Sequence, residues 1–263
     1  MRPVTIPSSI VSGFAEAGAA ATLLRELAAV QQRNAERAAD PALDRALTAL
    51  GIWQVRRLRG TYADLEASPR YVPALAFFES DLYGGTDFAQ RDADLVRVVP
   101  AMRRLLPETV LETVATAVAL NALSQELDRA MIDGLGPRAL GFTVAEYCRA
   151  YRAIGRHELR LRQIRLIGEV GAALDHYVQK PMLRAALKMM RRPAHLAGLG
   201  ALQDFLERGF NAFAQMGGAA GFLATVESRE TTIHEAIVHG ADDPFPDPMA
   251  GTANQARFEG PVS

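Results

Sequence analysis

Three groups of polar side chains fall where a helical pattern calls for apolar ones. Downstream of Thr143, the residues Tyr147, Tyr151, Ile154, Leu161, Ile164, Gly171 and Leu174 share one helix face, and His157 and Glu158 fall where that face should continue. A buried histidine–carboxylate pair could act as an acid–base couple. The breadth of the stripe favours the plainer reading, in which both groups sit at its edge and pair with neighbouring arginines. Asn121, Ser124 and Asp128, spaced i, i+3, i+7, share a face and interrupt an otherwise apolar segment. They suit the wall of a polar pocket or, more simply, hydrogen bonds that satisfy a neighbouring helix. In the segment from Phe77 and Phe78 to Tyr83, Asp81 lies next to the buried face and just before Gly84-Gly85; Arg91, Asp92 and Asp94 open the next helix. An Asp81–Arg91 ion pair locking the corner is favoured over a catalytic carboxylate cluster, with Asp92 and Asp94 as anions at a helix N-terminus.

The familiar catalytic motifs are absent: there is no P-loop, dinucleotide fingerprint, GxSxG or HExxH. His234 and His239 are five residues apart, so on a helix they point about 140° away from each other and cannot share a metal ion; they read as a solvated helix end. No Glu-x-x-His occurs, which removes the usual di-iron bundle pattern, and no cofactor is implied. The single cysteine, Cys148, sits among Tyr147, Tyr151 and Ile154 and reads as a small buried hydrophobe.

The elements that must position these groups are helical throughout. A first helix runs through Leu23 to Val30 and ends near Ala38. Asp40-Pro41, an N-cap with proline at the first helical position, opens a second through Trp53 and Leu58. A third opens at Ser68-Pro69 and stops at Gly84-Gly85. A fourth is capped by Thr86 or Asp87 and should be kinked or shortened by Pro100. Pro107 begins a fifth, closed by Gly134. The capping box Thr143-Val144-Ala145-Glu146 starts the longest helix, which the pattern carries to about Gln179. A short helix ending before Pro193, another from about His195 to Gln215, and a last from Ala220 to Val238 complete an all-α, single multi-helix bundle of roughly eight to nine helices. Residues 1–240 form the helical domain and 241–263, rich in proline and glycine, a disordered tail.

The 263 residues carry a formal net charge of -1, which gives no global field toward nucleic acid. Eleven cations between Arg149 and Arg192 face only Glu158, Glu169 and Asp175, and Arg149, Arg152, Arg156 and Arg160 share a helix face. Without interleaved exposed aromatics this is a solvated face, and nucleic acid is not the expected partner. No apolar stretch is long enough for a signal peptide or a membrane span, so the expected location is cytoplasmic.

The blocks FFESDLYG, DFAQRDADLVRVVPAMRRLLP, ALNALSQELDRAM, QIRLIGEVGAALDHYV, KMMRRPAHLAGLGALQDFLERGF and MGGAAGFLATVESRE resemble a bacterial family named after an FFLEE motif, over roughly Arg56 to Glu230. After Phe77 and Phe78 this chain has Glu79-Ser80-Asp81 in place of Leu-Glu-Glu. The resemblance implies an all-α fold and a bacterial source, and no activity.

Glycine, methionine and phenylalanine cluster at Met189, Met190, Gly209, Phe205, Phe210 and Phe213, a composition suited to a deformable apolar pocket or close helix packing. The leading expectation is a helical protein that binds a hydrophobic small molecule or a protein partner without catalysis, as a homo-oligomer. Phe78, Asp81, Tyr83, Arg91, Asp128, His157, Glu158 and Glu230 are the candidate binding residues. The alternative is an enzyme whose interior site draws on Asp81, Arg91, Asp128, His157, Glu158 and Glu230.

Overall fold

The computed structural model describes residues 18–78, 80 and 88–250. Helix α1 spans Ala19–Ala39, α2 Pro41–Thr61, α3 Ala63–Glu66, α4 Val72–Phe77, α5 Phe88–Leu105 and α6 Glu108–Leu135. Then follow α7 Val144–Ile154, α8 His157–Val178, α9 Pro181–Leu196, α10 Gly200–Met216 and α11 Ala220–Val238. The fold is all-α, as expected; no strand occurs among the described residues, and α3 and α4 are only single short turns. Among them, too, no helix is long and apolar enough to cross a membrane.

Two start signals work as the sequence implies. The Asp40 carboxylate accepts from the N–H groups of Ala42 and Leu43, with Pro41 at the first helical position. Thr143 and Glu146 close the reciprocal capping box at the head of α7.

Four expectations need correction. The long helix from Thr143 is two helices: Gly155 takes a left-handed conformation (φ 66°), ends α7 as its C-cap, and α8 restarts at His157. The apolar phase runs on across the break, which is why periodicity alone misses it. Proline stops neither α5 nor α9: both continue past Pro100 and Pro193, to Leu105 and Leu196. Both prolines are exposed, so the carbonyl left without its helical donor can be hydrated. The third helix begins at Val72 rather than at Pro69; the expected Gly84-Gly85 stop and the Thr86 or Asp87 cap lie outside the described residues. Finally, the chain does not leave the protein at Ala241. Phe245 is buried edge-on against Trp53 and Tyr147 at ring distances of 5.8 and 6.2 Å, and Asp242 accepts from Arg152 at 2.7 Å. One aromatic among prolines is enough where two rings wait to receive it.

Helix α6 is the axis, touching α1, α2, α5, α7 and α8; α8 in turn packs on α11 and α10. The buried apolar side chains do not merge into one core. They gather in four clusters, around Trp53 and Tyr147, around Phe213 and Phe222, around Leu27 and Val99, and around Leu127 and Leu166.

Phe245→Ala is expected to lower the unfolding free energy by about 3 kcal/mol in urea titration; a free tail would give no change. Gly155→Ala, strained by the left-handed backbone although nothing lies within 4 Å of an added Cβ, should cost about 1 kcal/mol.

Candidate functional site

Between the four clusters lies one cavity of about 1450 Å³, with lining residues from each of them. Its character follows from the register of three helices. Helices α6 and α8 run antiparallel: Arg160 Nη2 donates to the Leu127 carbonyl (3.5 Å), Gln163 Nε2 to Ser124 Oγ (2.8 Å), and at the other end Thr113 Oγ1 and Tyr177 OH are 3.1 Å apart. On α6 the lining residues Val110, Val114 and Ala117 are followed by Asn121, Ser124 and Asp128; on α8, Arg160 and Gln163 are followed by Ile167, Val170 and Leu174. The polar ends therefore coincide. Helix α11 runs antiparallel to α8, with the rings of His157 and His234 5.8 Å apart and Gly171 against Leu223. It thus adds Glu230 and His234 to the polar end, and Phe222 and Val226 to the apolar one. Gly171 makes this approach close: a Cβ there would lie 2.5 Å from a Leu223 methyl carbon.

At the polar end, Glu230 Oε1 accepts from Arg57 Nη1 (2.5 Å) and from the Tyr62 hydroxyl (2.7 Å). Burial raises the Glu230 carboxyl pKa, but the Arg57 charge and these hydrogen bonds outweigh it and hold the group below the usual range, as an anion. Asp128 Oδ1 accepts from Gln54 Nε2 (2.9 Å). Here burial wins over the Arg160 charge and pushes the carboxyl upward, toward its neutral form. The Tyr151 hydroxyl and His234 Nδ1 are 2.7 Å apart in a buried hydrogen bond. Burial, then His157 and Arg160, depresses the His234 pKa, so the imidazole favours its neutral form. Arg160 stacks over the Tyr151 ring at 5.0 Å and donates to Gln163 Oε1 and the Leu127 carbonyl, with no carboxylate in bonding reach. The buried Oε1 of Gln54 has no partner.

A second polar patch lies further along the same wall. Arg91 Nη2 pairs with Asp92 Oδ1 at 3.3 Å, Asn34 and Asn121 hydrogen-bond the same carboxylate, and the guanidinium lies 4.5 Å from the Phe205 ring. Burial pushes Asp92 upward against the Arg91 charge. This patch satisfies itself.

A family model described as "Domain of unknown function (DUF8198)" matches residues 32–244. The chain belongs to that family. No curated protein and no solved structure matches it. The DUF8198 match takes in every helix from α2 to α11, and therefore the whole polar end of the cavity.

Of the candidate residues, the DUF8198 fold brings Phe78, Arg91, Asp128 and Glu230 to the cavity. His157 stands behind His234, its Nδ1 buried without a partner. Glu158 is exposed and does not pair with His157, since consecutive residues of one helix point about 100° apart. Asp81 and Tyr83, and with them the expected Asp81–Arg91 pair, lie outside the described residues; among the described residues Arg91 pairs with Asp92. The expected solvated end at His234 is corrected: the residue is buried. The arginine face is solvated in part, with Arg149 and Arg156 exposed. Arg152 is tied to Asp242 and the Ile237 and Ala241 carbonyls, Arg156 to Glu126, and Arg160 turns inward. Cys148 is fully buried, and burial pushes its thiol to about 11, so it is no nucleophile. Among the described residues no three His, Cys, Asp or Glu side chains could hold a metal ion.

Sequence reasoning missed Gln54, Arg57 and Arg160. The signal was there for the first two: the stripe Leu43, Leu47, Leu50 continues at i+4 and i+7 into Gln54 and Arg57.

The two carboxyls give opposite pH signatures. Glu230, depressed in the fold, stabilises the protein above the unfolded carboxylate range and loses that contribution as pH falls. Glu230→Gln should cost about 3 kcal/mol near neutral pH and progressively less in acid. Asp128, raised in the fold, is best tolerated when protonated, below the unfolded pKa of about 3.9, and its penalty grows as pH rises through the folded value. Asp128→Asn should raise the melting temperature near neutral pH and leave it unchanged in acid, by calorimetry across a pH series.

Proposed function

We propose that the chain binds an elongated amphiphile in the central cavity, without chemical conversion. The observation that supports this most is the coincidence of the polar ends of α6, α8 and α11, which makes one cavity apolar along most of its length and polar at one end. Ligand pockets commonly span about 300–1,000 Å³, and this cavity is larger. Its lining is mostly apolar, so an apolar body suits most of the wall better than water does.

The head group follows from charge. Arg57 and Arg160 face one ionised carboxylate, Glu230, while Asp128 and His234 are driven toward neutrality. Arg57 bonds Glu230 directly; Arg160 bonds no carboxylate and interacts with Glu230 and Asp128 only through charge. The surplus cation favours an acidic or strongly accepting head, a carboxylate above all, with the Gln54 amide and the Tyr151–His234 pair beside it. The enzyme alternative draws less support, since Arg91, Asp128 and Glu230 each have a local partner and Glu158 points away. The blocks around Phe77 and Phe78 support an origin in the bacterial FFLEE-motif family, and add no activity.

Native mass spectrometry of freshly purified protein should show added mass that leaves on denaturation, and a long-chain fatty acid should displace an apolar fluorescent probe. Ala117→Trp, which fills the cavity from α6, should abolish probe binding while the helical circular dichroism persists. Arg160→Gln should weaken the fatty acid about 10-fold or more and leave an uncharged alcohol of the same length unaffected. Full probe binding by Ala117→Trp would overturn the reading.

A further inference from the structure

Helix α9 is unlike the others: only Ala194 of its residues is buried, and its apolar arc is wider than its contacts require. Leu183, Leu187 and Met190 face the cavity. A separate stripe one heptad apart faces outward, Met182, Met189 and Leu196, exposed to 84, 74 and 86%. Large apolar side chains at such exposure, in one line, are a surface kept for contact.

The charges beside the stripe identify the contact. From Lys180 to Leu196 the chain has five Lys or Arg and no acid, and both of its lysines, Lys180 and Lys188, are here. On the flank toward α10, Arg191 pairs with Glu207, His195 Nε2 lies 2.9 Å from Asp204, and Arg184 stacks over Phe210. On the outward flank, Lys188 and Arg192, four residues apart and both exposed, have no acidic partner beside them. An apolar stripe edged by solvated cations is the arrangement of a helix lying in a bilayer interface, with methionines in the acyl boundary and cations at anionic headgroups. A second copy of the chain fits less well, since a two-fold contact through α9 would set these cations against themselves. The helix is held for this role rather than loose: Gln203 Nε2 donates to the Leu187 carbonyl at 2.8 Å, and Arg97 donates to the Ala197 and Gly198 carbonyls.

We propose that the outward face of α9 docks the protein on an anionic membrane surface. The docking stands on the exposed stripe and its cations alone. That it would bring the cavity, lined by the inner face of the same helix, beside a lipid phase rests on the amphiphile reading.

The test is co-sedimentation of the full chain with vesicles of phosphatidylcholine alone and of phosphatidylcholine mixed with phosphatidylglycerol. Binding is expected to the mixed vesicles, to weaken with salt, and to fall about 10-fold or more in Lys188→Glu/Arg192→Glu and in Met182→Ser/Met189→Ser/Leu196→Ser. Because these side chains are exposed, both variants should keep the wild-type melting temperature. Ala117→Trp should bind vesicles normally, so failure of the cavity reading is seen separately. No binding to mixed vesicles overturns the proposal, as does equal binding by both surface variants. A smaller oligomer from the triple variant, with wild-type protein indifferent to vesicles, would assign the stripe to self-association and overturn it too.

Discussion

The antiparallel register of α6 against α8 is the constraint from which the interior follows. It is pinned at both ends by hydrogen bonds between side chains that are themselves half-buried, Gln163 to Ser124 and Thr113 to Tyr177. Sliding one helix by a single turn, about 5.4 Å, would break both pairs and leave half-buried donors and acceptors without partners, at about 1–3 kcal/mol each. The polar groups at one end of the cavity therefore do double service: they specify the helix register, and they give the cavity its direction.

Glycine makes the third wall compatible with that register. Gly171 lets α11 approach α8 closely, because a Cβ there would lie 2.5 Å from a Leu223 methyl carbon and force that side chain to shift. The close approach sets Glu230 within reach of Arg57 on α2 and of Tyr62 at its C-cap, so α2 and α11 meet at one ion pair. A pair this buried adds little net stability over an apolar replacement, but removing one member strands the other. Its effect is to make the meeting of α2 and α11 selective.

Much of the fold was legible in sequence because caps and apolar stripes are local: Asp40-Pro41, the Thr143 capping box and the bounds of α11 all read correctly. The Asn121–Ser124–Asp128 stripe was legible too, as a face, and that face lines the cavity. What was not legible is non-local. Whether a glycine inside an apolar pattern is tolerated or ends the helix depends on the packing on either side, so the break at Gly155 did not show. His234 looked like a helix end in solvent because its burial comes from Tyr151 and His157, on two other helices. Phe245 looked like part of a tail because Trp53 and Tyr147, which receive it, are far away in the chain.

The two polar patches on the cavity wall show how a structural polar group differs from one held for a ligand. Arg91 and Asp92 neutralise each other, two asparagines complete the carboxylate's hydrogen bonds, and Phe205 covers the guanidinium, so a ligand there would have to displace existing bonds. Arg160 has the same chemistry and the opposite situation. Its bonds go to neutral oxygens, at 3.2 and 3.5 Å, long for a guanidinium. Asp128 makes no hydrogen bond to it, and burial pushes that carboxyl upward against the Arg160 charge. A cation placed in the interior without an anion raises the free energy of the ligand-free protein, and an arriving anion recovers that difference as binding affinity. The asymmetry between two arginines on one wall therefore assigns Arg91 to the scaffold and Arg160 to the ligand.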